Sequence, residues 1–345
     1  MKIKLLLITA IAFSIFTACT SGSKKETEVQ EVNVYTHRHY APDQELFAKF
    51  EKETGIKVNV VNASADELIL KMENEGAQSP ADVLITVDAG RLQRAKEKGL
   101  LQSVSSNILN TNVPAHLRDT DNQWFGLTKR ARVIVYAKDR VKPEDLSTYE
   151  GLTESKWQGK VLIRSSGNIY NQSLMASVIA NAGEEEAKAW AAGMVKNMAR
   201  SPKGNDRDQM KAVVAGEGDI AIVNTYYLGN LLSSNDPTEV SVGEKIGVFF
   251  PNQEDRGTHI NVSGAGVAKY APNKINAVKF IEFLSGKEAQ KVFSSTNFEY
   301  PVNPNVEMSD LLKSWGAFKE DKLPLSKLGE LNKEAVLLFD QIGWK

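Results

Sequence analysis

The sequence predicts an α/β protein of two lobes, each a mixed sheet flanked by helices, and three observations lead there. Strand-like and helix-like segments alternate through most of the chain, as they do in sheets covered by helices on both faces. The chain beyond residue 31 is longer than the ~250–300 residues at which a single core stops growing. Two extended runs, Trp124–Lys138 and Ile246–Pro251, break the rhythm; a lone lobe has little use for either, so both read as crossovers between lobes. Lobes joined in this way are hinged, and their ligand lies in the cleft beyond the carboxyl ends of the strands.

The first residues, Met1-Lys2-Ile3-Lys4, are basic, Leu5 to Phe16 is apolar, and small residues lead to Cys19, so residues 1–18 read as an export signal. The apolar run falls short of the ~20 residues that span a bilayer. Cys19 is the only cysteine, which excludes an intrachain disulfide, and it stands where a lipoprotein-type signal would be processed and lipidated. Phe16 occupies a position usually taken by an aliphatic residue, so cleavage without lipidation stays open. Residues 19–31, rich in Ser, Gly, Lys and Glu, form a tether. A net charge of −1 offers no electrostatic footprint for nucleic acid, and contact with a membrane is expected only through the lipid.

Val32-Asn33-Val34-Tyr35 and Lys57–Val61 alternate as strands, and Asp43–Lys52 between them puts Leu46, Phe47 and Phe50 on one helical face that Gly55 ends. Ser64 with Glu67 forms a capping box for a helix carrying Leu68 and Met72, Gly76 stops it, and Ala81–Thr86 is a buried strand. Past the first crossover, Lys160–Ile163 is a strand, Ser173–Asn181 a helix, and Glu184–Met198 a helix burying Ala187, Trp190, Ala191, Met194 and Val195. After the second run, Ala277, Phe280, Ile281 and Leu284 line another helix. The lobes are expected at 32–128 with 253–303, and at 129–252 with 304–345. Gly264-Ala265-Gly266 lacks the helix that a dinucleotide loop needs, and Asn261-Val262-Ser263 matches a glycosylation acceptor only formally.

The adjacent phenols Tyr226 and Tyr227 follow the strand Asp219–Asn224. Phenol titrates near pH ~10, but a highly charged cation displaces the proton and takes the oxygen as a ligand, chemistry that suits Fe(III). Tyr170 follows the strand at 161–163 through a loop, and His37, His39 and Tyr40 follow the first strand. Each alone is more often a packing or surface residue. Their shared position after separate strands is what sets them apart.

Several segments carry a resemblance: Arg38-His39-Tyr40, Ala65-Asp66-Glu67-Leu68, Ser79–Leu84, Trp124-Phe125-Gly126 through Arg132, Arg164-Ser165-Ser166 through Leu174, Asn224–Tyr227 and Phe249–Gln253. With them the chain resembles the ferric-iron-binding proteins of bacterial ABC importers, in the FutA-like branch. The resemblance implies a type II periplasmic-binding-protein fold with Fe(III) between the lobes. It implies ligands at Tyr40, Tyr170, Tyr226 and Tyr227, with His39 a more variable member, and gives His37 no match. Four phenolates around Fe(III) leave one excess negative charge, and Arg130 in the crossover run is the expected offset; the other reading of Lys129, Arg130 and Arg132 is a solvated basic cluster. Some relatives carry an arginine just after the tyrosine pair, where this chain has Asn230 and Leu231.

The expected protein is thus a monomeric carrier, not an enzyme, that hands Fe(III) to a membrane permease and its ATPase. Two alternatives stay open: a binding protein of the same fold for a polyamine, sugar or oxyanion, and a non-haem ferric oxygenase using His37, His39, Tyr226 and Tyr227.

Overall fold

The structure, a computed structural model, describes residues 30–345. The expected signal at 1–18, Cys19 and nearly all of the 19–31 tether lie outside them. The tether ends earlier than expected, because the Gln30 carbonyl already accepts from the Lys57 amide and Glu31 opens the first strand.

The first part runs β1 (Glu31–Thr36), α1 (Ala41–Thr54), β2 (Lys57–Asn62), α2 (Ala65–Glu75), β3 (Val83–Thr86), α3 (Ala89–Glu97), β4 (Leu101–Gln102), α4 (Asn107–Asn112) and β5 (Phe125–Ala137). Then come β6 (Val161–Leu162), α5 (Ile169–Ala182), α6 (Glu184–Asn197), α7 (Asp206–Val214), β7 (Ile220–Asn224), α8 (Thr225–Leu232), α9 (Pro237–Glu244) and β8 (Ile246–Phe249). The chain continues through β9 (Ile260–Ala268), α10 (Lys274–Ser285), α11 (Lys287–Thr296), β10 (Tyr300–Pro301), α12 (Asp310–Ser314), α13 (Lys327–Glu330) and α14 (Asn332–Ile342).

Local chemistry explains the early elements. Ser64 and Glu67 close the capping box of α2, and Gly55 ends α1 in the left-handed region at φ 71°. The apolar face of α1 packs on α10, with Phe47 and Phe50 each edge-to-face on Phe280 at 5.1 Å. Burying such side chains contributes roughly 1.5–3 kcal/mol each, so this seam anchors α1 and the loop before it.

One half of the sheet is ordered β2-β1-β3-β9-β5, with β1 parallel to β2 and β3, and with β9 antiparallel to β3 and β5. The other half sets β7 and β8 antiparallel to β5, and β6 parallel to β7. Both halves are mixed, as expected. β5 belongs to both: it pairs with β9 up to Ala131 and with β7 from Arg132. Its alternating side chains are buried on both faces, Val133 and Val135 in one cluster and Ile134 in the other.

Three expectations need correction. The first change of sheet falls at 131/132 rather than 128/129. The run Ile246–Pro251 is no crossover: β8 stays paired with β5, and Asn252 is bonded to Ser147 and Tyr149 of the second half. The return comes at His259-Ile260, where the His259 carbonyl accepts from the Arg132 amide, and not at 253. An edge strand and a crossover share the same extended periodicity, so pattern alone could not separate them. The segment 304–345 also touches both halves, since α13 packs on α3 as well as α5. Gly90 makes that approach possible; a Cβ there would meet the Leu328 carbonyl oxygen at 3.0 Å.

Candidate metal centre

Each of the four tyrosines sits where a helix starts after a strand. Beyond β1 the His37 amide bonds to the Ile85 carbonyl, the chain turns, and Tyr40 becomes the N-cap of α1. Tyr170 is the second residue of α5, not part of a loop before a helix at Ser173; the Asn168 side chain accepts from the Tyr170 amide and starts the helix early. Tyr226 and Tyr227 lie in the first turn of α8, directly after β7. Helix N-termini bring unpaired N–H groups and the positive dipole end, so these positions favour anionic oxygens.

Fully buried Tyr226 is the hub, its hydroxyl 3.1 Å from that of Tyr170 and 3.3 Å from that of Tyr40. The rings of Tyr226 and Tyr227 lie 4.2 Å apart between centroids. A hard octahedral cation holds oxygens at about 2.1 Å, which sets neighbouring ligand oxygens about 3 Å from each other. The Tyr226 oxygen already has about that spacing to those of Tyr170 and Tyr40. Tyr40, Tyr170 and Tyr227 face a cleft of ≈ 680 Å³ together with His37 and His39. Among the described residues, no three His, Cys, Asp or Glu side chains group as metal ligands.

Burial, then the charge of neighbouring phenols, pushes Tyr40 and Tyr226 well above the ordinary 10.0, and burial raises Tyr227. Without a cation, Tyr40 and Tyr226 hold their protons at neutral pH. Displacing them takes an ion of high charge.

The sequence profile of a family described as bacterial extracellular solute-binding proteins matches residues 45–320. The chain belongs to that family. Iron uptake protein A1 of Synechocystis is 55% identical over 318 residues, covering 92% of this chain and 88% of the relative. A Trichodesmium FutA structure in complex with iron and citrate is 53% identical, with a TM-score of 0.87 over 91% of this chain and 100% of that one. The ferric binding protein from Campylobacter jejuni is 47% identical, with a TM-score of 0.88 over 91% and 100%. The fold is that of the type II periplasmic binding proteins, mixed sheets with flanking helices.

In this solute-binding protein, four guanidinium groups back the phenols. Arg38 lies 4.9 Å over the Tyr40 ring, and Arg130, Arg132 and Arg164 lie 5.9, 5.9 and 5.7 Å from the Tyr170 ring. Arg38 pairs with Asp43 and Glu299, each at 3.0 Å, and Arg132 with Asp206 at 2.9 Å. Arg164 shares Asp206 at 3.6 Å. Arg130 has no carboxylate partner among the described residues: it donates to the Val87 carbonyl and the Ser263 hydroxyl, and its Nε and Nη1 find no acceptor. Burial opposes its charge, but Glu299 and the tyrosines outweigh burial and raise its proton affinity. Four guanidinium groups therefore face three carboxylates. One positive charge is left over, the amount that four phenolates around a trivalent cation would call for.

Arg130 and Arg132 are 1% and 2% exposed, which excludes the solvated cluster as the reading of either. His39 is exposed at the rim, its ring 5.1 Å from that of Tyr40 and its Nδ1 near the His37 carbonyl. His37 is half-buried; burial and then His39 lower its proton affinity, and its Nδ1 lacks a partner. Asn261 is buried and bonded to Ala89 and Asp88, so the glycosylation pattern is a coincidence of sequence. Sequence reading missed the roles of Arg38, Arg132, Arg164, Asp206 and Glu299. The signal for Arg130 and Arg132 was there, charges beside Lys129 in a strand that is apolar at most other positions; Glu299 had none.

Proposed function

We propose that this protein captures Fe(III) in its cleft through Tyr40, Tyr170, Tyr226 and Tyr227, with His39 joining from the rim, and delivers it to an ABC importer. It carries iron and performs no catalysis. The observation that supports this best is the contact of three phenol oxygens from distant elements at about ligand spacing, in front of an arginine without a carboxylate partner. The names of the relatives agree with the reading: an iron uptake protein, a ferric binding protein and a homologue in complex with iron. Phenolates favour Fe(III) over softer or divalent ions, so reduction or reopening of the cleft releases the cargo. The protein works outside the cytoplasmic membrane as a monomer, held by lipid on Cys19, and passes iron to a permease driven by an ATPase. The two lobes divide at 131/132 and 259/260. Titration with Fe(III) tests the site: an intense visible phenolate-to-iron band at one equivalent is expected, and a colourless protein would sink the proposal.

A further inference from the structure

We propose that the turn Asn297-Phe298-Glu299 is the joint that holds the two parts of the tyrosine cluster in register, with Phe298 wedged on Gly229 as a positioning residue for Tyr226 and Tyr227. The inference rests on the ferric reading of the cluster and adds to it the element that sets its dimensions.

Phe298 sits at φ 54°, in the left-handed region, where a bulky side chain is an outlier that its surroundings must hold in place. What holds it is α8. A Cβ built on Gly229 would lie 2.5 Å from both Cβ and Cγ of Phe298, so the ring fills the space in which any side chain at 229 would begin. Glycine is a poor helix former compared with alanine, and the contact explains why it stands in this helix. Gly229 comes three residues after Tyr226, on the same helical side. Phe298 and Tyr226 share one apolar cluster with Tyr300 and Leu312, against which Tyr40 and Tyr227 also pack.

The next residue works on the opposite half. Glu299 is fully buried and accepts from Arg38, Thr128 and Asn297. Arg38 in turn lies over the Tyr40 ring and donates from Nε to Asp43, whose other oxygen receives the Tyr40 amide. Consecutive residues thus brace phenols that come from different halves of the fold. The 3.3 Å between the Tyr40 and Tyr226 hydroxyls is the distance that this turn sets.

Ferric citrate added to the full chain, followed by the visible band and by the rate of iron transfer to excess EDTA, tests the joint. Gly229→Ala is expected to speed iron loss at least tenfold and to shift the band, and Gly229→Ala with Phe298→Ala to recover most of the retention. A G229A protein with wild-type band and rate, or a double variant no better than G229A, overturns the joint. Should G229A fail to melt cooperatively, Phe298→Leu carries the test; faster loss with a shifted band supports the joint, and an unchanged band overturns it. A wild-type chain that develops no band at all refutes the ferric reading and the joint with it.

Discussion

The hydroxyl of Tyr226 lies 3.1 Å from that of Tyr170, although 56 positions separate them in the chain. Tyr226 reaches Tyr40 as well, so Tyr40, Tyr170 and Tyr226 each meet a hydroxyl supplied by another helix start.

Tyr226→Phe removes the oxygen that Tyr40 and Tyr170 both contact. The visible band is expected to bleach or shift, and Fe(III) affinity to fall at least tenfold. The iron-free protein should lose about 1 kcal/mol, because two hydroxyls lose a hydrogen-bond partner. Spectral titration and denaturant melts measure the two effects separately; an unaltered band would remove Tyr226 from the ligand set.

The phenol shifts make the iron-free protein sensitive to alkali. Tyr40 and Tyr226 titrate well above 10.0 when folded, so near pH ~10 the unfolded chain gives up protons that the folded chain keeps. Their contribution to stability is complete below that pH and is lost as pH rises beyond it. Melts from pH 7 to 11 should show the fall. Iron loading at neutral pH must expel these protons, so a pH-stat should record more than one released per ferric ion, with retention weakening in acid.

Arg130→Met takes away the one positive charge of the four that has no carboxylate bonded to it. Ferric affinity should drop about tenfold or more, and Arg130→Lys should recover part of it, since the charge is kept while the forked donor geometry is lost. Competition against citrate reads the order wild type, Lys, Met; a Met variant that equals wild type contradicts the charge argument.

His39 is exposed and touches little besides the Tyr40 ring and the His37 carbonyl. His39→Ala should leave the iron-free protein within about 0.5 kcal/mol of wild type. Its effect on iron affinity should be smaller than that of any of the four Tyr→Phe changes, measured side by side.

Ser173 donates from α5 to Asp88 at the start of α3, a 2.5 Å bond between the two halves. A hydrogen bond to a charged group contributes about 1.5–3 kcal/mol. If closure depends on it, Ser173→Ala should release iron about tenfold faster with little change in the visible band. Stopped-flow transfer to a chelator checks this, and an unchanged rate would show that the bond does not hold the cleft shut.

Periodicity and end signals made much of the fold legible. The faces of α1, α2, α6 and α10, the capping box at Ser64 and the glycine stop at Gly55 are local features, and side chains a few residues apart encode them directly. The candidate tyrosines were legible for a similar reason, because Tyr40, Tyr170 and the pair Tyr226 and Tyr227 each follow a strand. Boundaries that depend on a partner strand were not. Ile246–Phe249 has one extended pattern whether it crosses the hinge or, as here, lies along β5.

From its sequence alone, then, the chain determined two α/β halves, the strands and helices that carry Tyr40, Tyr170, Tyr226 and Tyr227, and a family resemblance across nearly the whole exported part. Only the tertiary structure decided that Tyr226 is the hub, that Arg130 is buried without a carboxylate partner, and that Phe298 fits where Gly229 has no side chain. The physical reason is range. Burial patterns and caps act over a turn or two of chain, whereas the distance from residue 40 to residue 226 depends on contacts between the two halves, across the shared strand β5 and the turn at 297–299, and no local pattern records it.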